Sequence, residues 1–149
     1  MIPQAPNFNQ GPWAGLESFI RNTLVSTNKE AWVYMGNFGI GGYNGSNTLV
    51  DYIDGGHVIV PAKVWKVVVV IPKGNNDLSR VDTSATILAV EMPNDNRLYT
   101  TGGTTLWRNY LTNISNIEAH AVASGATTID FLKTVSSSAK SYLKSKVYQ

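Results

Sequence analysis

Cysteine is absent, which excludes disulfides and thiolate metal sites. Long apolar runs are absent too: the longest, Val67 to Ile71, falls far short of the ~20 residues a membrane-spanning helix needs. No block of like charge appears. The 12 Lys+Arg and 10 Asp+Glu give a net charge of +2 and a pI near 8.9, a mild basic bias that permits contact with nucleic acid without arguing for it. Residues 1–20 show no basic start followed by an apolar stretch, so no signal peptide is expected in this chain. What is present is globular: 43% hydrophobic and 15% charged residues over 149 positions, the length of one domain with a real core.

Three prolines, Pro3, Pro6 and Pro12, mark residues 1–12 as an extended loop. Trp13, Leu16, Ile20 and Leu24 then recur at helical spacing, predicting a helix over roughly 12–26, with Asn9 at the N-cap and Pro12 in the first turn. Residues 31–35 read as a short strand. A glycine-rich loop covers 36–57, 58–60 reads as an edge-like strand, and 65–71 as a central strand buried on both faces. After a polar loop, 86–92 forms another strand, closed by Pro93-Asn94-Asp95-Asn96. Residues 107–114 read as a strand or short turn, 115–124 as a helix, and 128–146 as a final helix with lysines in its last turn. The expected fold is α+β, a single domain over 1–149 with a mostly antiparallel sheet containing segments 31–35, 58–60, 65–71 and 86–92 and flanking helices.

The opening segment carries the most chemistry. Asn9 reads either as a helix cap, whose side-chain oxygen satisfies free amides of the first turn, or as an oxygen donor to a hard cation. Glu17 and Arg21 stand four residues apart with the acid first, the favourable order for a surface ion pair worth only ~0.3–0.5 kcal/mol. An oxygen donor, a carboxylate and a guanidinium along one helix also suit a metal ion and a phosphodiester.

The run Pro3-Gln4, Asn9-Gln10-Gly11, Trp13, Leu16-Glu17, Arg21 resembles the DNA/RNA non-specific endonucleases of the ββα-metal, or His-Me finger, type. Further segments match in order: Trp32 to Gly36, Val58-Ile59-Val60-Pro61, Trp65-Lys66-Val67-Val68-Val69, Met92-Pro93-Asn94, Trp107-Arg108-Asn109-Tyr110 and Ile117-Glu118, with Asp130-Phe131 aligning loosely. The resemblance implies a Mg²⁺-dependent endonuclease, with Mn²⁺ as an alternative ion, that hydrolyses phosphodiester bonds of DNA and RNA. It implies that Asn9 is the direct metal ligand, that Glu17 holds metal-bound water, and that Arg21 meets the phosphate as charge develops. It also implies a secreted or periplasmic protein.

The family's Asp-Arg-Gly-His segment, which carries the general base, is expected before residue 1. The chain therefore reads as the metal-and-phosphate half of the site, the other half coming from a companion polypeptide or a lost front segment. A second reading is a non-catalytic relative that binds nucleic acid or protein. His57 and His120, the two histidines, read as a turn residue and a helix-surface residue. Trp13, Trp32, Trp65 and Trp107 read as core. Lys63, Lys66, Lys73, Arg80, Lys140, Lys144 and Lys146 read as backbone contacts or, equally, as dispersed solubilising charge.

Overall fold

The computed structural model describes residues 2–25 and 28–149. Its centre is strand β6 (Lys63–Pro72), whose residues from Val64 to Ile71 are all buried. Alternation along a strand sends successive side chains to opposite faces. Val64, Val68 and Val70 pack with one apolar cluster, and Trp65, Val67, Val69 and Ile71 with another. Strand β7 (Thr86–Pro93) divides in the same way, Leu88, Val90 and Met92 to the first and Ile87 and Ala89 to the second. A strand covered on both faces favours apolar residues throughout, which accounts for the run of valines, and Lys66 is the exception.

Four antiparallel strands make the sheet in the order β1-β6-β7-β8, with β1 at Lys29–Phe38 and β8 at Leu111–Thr112. Gly36 of β1 faces Trp65 across the ladder, and a Cβ there would lie 2.5 Å from the indole ring. Glycine is what lets the tryptophan lie flat against the edge strand. One layer over the sheet is the helical segment 6–24, with Phe8, Trp13, Leu16, Ile20 and Leu24 buried. The other layer is the helix Ile114–Ala123, through Ile114, Ile117 and Ala121, joined by the helix Ser137–Ser145. Among the described residues no helix is long and apolar enough to cross a membrane.

The α+β class and the antiparallel sheet agree with expectation, and several boundaries do not, the first strand running over Lys29–Phe38 rather than 31–35. The first helix begins at Pro6 rather than near residue 12, because Ala5 holds the extended N-cap position and Pro6 takes the first helical place. Its predicted end at 26 falls on Ser26, outside the described residues; regular winding is seen to Leu24. Residues 58–60 do not join the main sheet. Val58–Ile59 (β5) pairs only with Tyr52–Ile53 (β4), and Gly42–Tyr43 (β2) with Leu49–Val50 (β3), two small ribbons made from the glycine-rich loop. Residues 107–114, expected as a strand or short turn, hold both, a 3₁₀ turn, Leu106–Tyr110, followed by the two-residue β8.

The C-terminal helix spans Ser137–Ser145, not 128–146. The apolar spacing continues N-terminally, but polar groups there bind the backbone in other ways. Asp130 accepts from the Leu132 amide at 3.1 Å, and Glu118 from the Phe131 amide at 3.0 Å. Lys144 then bridges Glu118 (2.7 Å) and Asp130 (2.9 Å), while Lys140 reaches Asp130 at 3.0 Å. Four charges thus pin the 130–132 turn between two helices. Arg80 is engaged similarly, with Glu30 and Asp77. These three cations are structural partners rather than free contacts for nucleic acid.

The Lys144 hydrogen bond, assisted by Lys140 and the Leu132 amide, holds the Asp130 carboxyl down at about 2 from an ordinary 3.8. A carboxyl depressed in the folded state stabilises above its unfolded value, and that contribution disappears as pH falls through the folded one. Asp130→Asn is therefore expected to lower Tm at pH 6, with the gap to the unaltered chain closing between pH 3.8 and about 2. Thermal melts of both proteins across that window check it; a gap as large at pH 2 as at pH 6 contradicts the ion-pair account.

Candidate active site

The loop leading to the site is fixed by two asparagines far away in sequence. Asn94 is 1% exposed; its Oδ1 accepts from the Ala5 amide at 2.7 Å, and its Nδ2 donates to the carbonyls of Pro3 (3.1 Å) and Pro61 (2.9 Å). The Asn96 Oδ1 accepts from the Asn7 amide at 2.9 Å, and the Asn7 side chain donates back to the Asn96 carbonyl at 3.2 Å. Buried polar side chains satisfied at every atom specify one geometry. The two asparagines thereby set where the helix starts and which way Asn9 faces.

Segment 6–24 is wound unevenly. It is α-helical at Pro6–Phe8 and Ala14–Phe19, and π-helical at Asn9–Trp13 and Ile20–Leu24. In a uniform α-helix, side chains four residues apart drift by about 40° round the axis at 3.6 residues per turn. A π segment closes i→i+5 bonds and turns less per residue, which reduces that drift. Asn9, Trp13, Glu17 and Arg21 stand at successive steps of four along this segment. Trp13 points to the core at 3% exposure, and Asn9 and Arg21 are exposed.

Asn9 is not an N-cap. Its φ of −64° and ψ of −47° are helical, and its own amide donates to the Ala5 carbonyl at 2.9 Å. The carboxamide makes no protein hydrogen bond among the described residues, so it is available to a ligand. Glu17 has its side chain 44% exposed. Its ion pair is not with Arg21. The Oε1 of Glu17 accepts from Lys66 Nζ at 3.0 Å, and that ammonium also sits 4.2 Å over the ring of Trp13. Arg21 has no ion-pair partner among the described residues, so its guanidinium is open to an incoming anion.

Lys66, expected as a backbone contact or a solubilising charge, is neither, since it is buried against Glu17, and Asn94 and Asn96 went unnoticed as supports of the loop. Lys66 sits among apolar strand residues, and a lone lysine in a buried run is itself the signal that a carboxylate lies opposite. Asn94 and Asn96 flank Asp95 after a strand, a pattern that reads locally as a turn; their partners are about ninety positions away. The two histidines are elsewhere, as expected. The exposed His57 follows the 54–56 turn, its Nδ1 against the Asp54 carbonyl. His120 bonds Glu91 at 2.6 Å on the sheet face opposite the site helix. Trp13, Trp65 and Trp107 are buried and Trp32 is half-buried.

The donor set limits which ion would suit the helix. Among the described residues no group of three or more His, Cys, Asp or Glu could hold a metal. An exposed carboxamide with a half-exposed carboxylate two helical steps away does not make a zinc or calcium cage. It fits a hard cation that keeps most of its own water, as Mg²⁺ does.

Residues 1–138 match the family described as DNA/RNA non-specific endonuclease, and the chain belongs to that family. It is 32% identical over 147 residues, 99% of its length, to a nuclease of Nostoc sp. strain PCC 7120, of which the match covers 46%. Its fold is similar to that of a chain in the crystal structure of the EndoG/EndoGI complex, with a TM-score of 0.61 at 17% identity, covering 93% of this chain and 51% of the other. The fold is thus of the ββα-metal nuclease kind. The chain spans about half the length of these relatives. The family is generally dependent on divalent metals.

Loop 100–105 lies directly on the site helix. A Cβ at Gly15 would come within 1.8 Å of the Thr104 carbonyl oxygen, and one at Gly11 within 2.3 Å of that of Thr100. Gly15→Ala is expected to destabilise the fold by at least about 2 kcal/mol, because neither backbone can yield. Gly102→Ala, where a Cβ meets nothing within 4 Å, should leave the chemical-denaturation midpoint nearly unchanged. Equal midpoints for the two variants would show that the helix does not bear on this loop.

Proposed function

We propose that this chain carries the metal- and phosphate-binding side of a Mg²⁺-dependent endonuclease acting on DNA and RNA without sequence preference. The observation that supports this best is that Asn9, Glu17 and Arg21 lie on one helical segment, and that among the described residues the Asn9 carboxamide and the Arg21 guanidinium have no hydrogen-bond or ion-pair partner. Asn9 would hold the ion, Mg²⁺ or in its place Mn²⁺. When bound, that ion supplies Lewis-acid stabilisation of the charge gathering on phosphate oxygens. Arg21 donates its forked N–H groups to the same phosphate. Glu17, held at one oxygen by Lys66, keeps the other for orienting water. Contacts of this kind go to the phosphodiester rather than to base edges, which suits indifference to sequence.

Proton transfer from the attacking water is assigned to no side chain of residues 1–149. His120 is across the sheet from Glu17, and His57 is tied into its own turn. The general base is therefore proposed to come from a segment carrying Asp-Arg-Gly-His outside these residues, on a companion chain or on the remainder of a longer one.

Plasmid digestion in Mg²⁺ tests the reading. The 149-residue chain alone is expected to cut weakly or not at all, since general-base catalysis is typically worth 10²–10⁴-fold. Cutting should appear when an Asp-Arg-Gly-His segment is supplied, and Asn9→Ala or Glu17→Ala should then remove it. Nucleic-acid binding without cutting under every condition would favour the non-catalytic alternative. Robust cutting by the chain alone would overturn the assignment of the base.

A further inference from the structure

Lys66 occupies a position where the packing calls for valine. Its neighbours toward the same layer, Val64, Val68 and Val70, are apolar and almost wholly buried, and the Lys66 side chain is itself only 5% exposed. Lysine is rarely buried so deeply without a partner. Its partners are Glu17 Oε1 at 3.0 Å and the face of Trp13 at 4.2 Å. Burial pushes the ammonium below the ordinary lysine range, with the Glu17 hydrogen bond and charge only partly restoring it. A methionine or leucine of similar volume at such a place is often neutral or stabilising relative to a buried ion pair. Stability of the core is thus a poor reason for a charge here.

We propose that Lys66 is a positioning residue for Glu17, reaching from the sheet to the site helix to fix its carboxylate in the orientation the metal-water site requires. The inference rests on the reading of Glu17 given above. Lys66 cannot meet a substrate phosphate itself, because the helix and Trp13 cover its ammonium. It acts only through Glu17. A free glutamate on a helix surface samples many rotamers, and ordering it costs side-chain entropy. The ammonium restricts Oε1 to one place while Oε2, unbonded among the described residues, stays open on the half-exposed side. Lys66 thereby fixes the carboxylate on the same helical segment that carries Asn9.

The test is a double-mutant cycle on Mn²⁺ affinity of the 149-residue chain, read by electron paramagnetic resonance. Lys66→Met and Glu17→Gln are each expected to weaken Mn²⁺ binding by about tenfold, the scale typical of outer-shell partners. The double variant should bind no more weakly than either single one. Lys66→Met binding as well as the unaltered chain, or losses that multiply in the double variant, would overturn the proposal. Failure of the unaltered chain to bind Mn²⁺ would instead overturn the metal-site reading and the inference with it. Should Lys66→Met not fold, Glu17→Gln alone still decides, since a half-exposed residue can be changed without loss of the core. The ¹H–¹⁵N resonance of the Lys66 ammonium must shift in that variant, and an unmoved resonance sinks the idea.

Discussion

Between Val64 and Ile71 every side chain of β6 is shut away from water, alternately toward the site helix and toward the helix Ile114–Ala123. Each fully buried valine is worth roughly 1.5–3 kcal/mol, and the strand can realise that only when both layers are in place. Helix position, loop position and the separation of polar groups into two sets all follow. Even-numbered residues, Lys66 among them, face the helical segment 6–24, where Lys66 meets Glu17. Odd-numbered ones and Glu91 face His120. A slip of one residue would exchange the two sets, so burial of the valines also fixes which charges can meet.

On the helix side, the constraint turns polar. Asn94 and Asn96 anchor the incoming loop, Gly11 and Gly15 admit loop 100–105 onto the helix backbone, and Lys66 grips Glu17 from below. These contacts come from widely separated stretches of chain and converge on one helix. A helix so tied can carry π winding, which unsupported backbone tolerates poorly and which recurs at functional sites. The outer side of this helix is left exposed, and on it lie the carboxamide and guanidinium assigned to metal and phosphate.

The central strand and the family could be read from the sequence because both rest on local pattern: the apolar run 65–71, the amphipathic spacing from Trp13, the ordered Pro-Gln and Asn-Gln-Gly motifs. What escaped was fixed by distant partners. The helix start at Pro6 depends on Asn94, almost ninety residues on, and Lys66 finds Glu17 across forty-nine. The shortened C-terminal helix has good periodicity as far back as Ile129. It is cut by Asp130, whose bonds to Lys144 and the Leu132 amide outcompete helix formation. Residues 58–60 look like any edge strand, and only the sheet order shows them in a separate ribbon. Asn9, Glu17 and Arg21 could be singled out from the sequence as candidates, whereas the π winding of the helix that carries them could not, since no residue pattern here announces a π segment.

The exposed side of this helix is proposed to be a metal site built on Asn9. A crystal of the 149-residue chain soaked in Mn²⁺, with an anomalous difference map, tests it most directly. The account predicts one peak on the Asn9 carboxamide oxygen, with Glu17 reached through coordinated water, and loss of that peak in Asn9→Ala. A peak at Glu91 and His120, or none at Asn9 under saturating Mn²⁺, would contradict it.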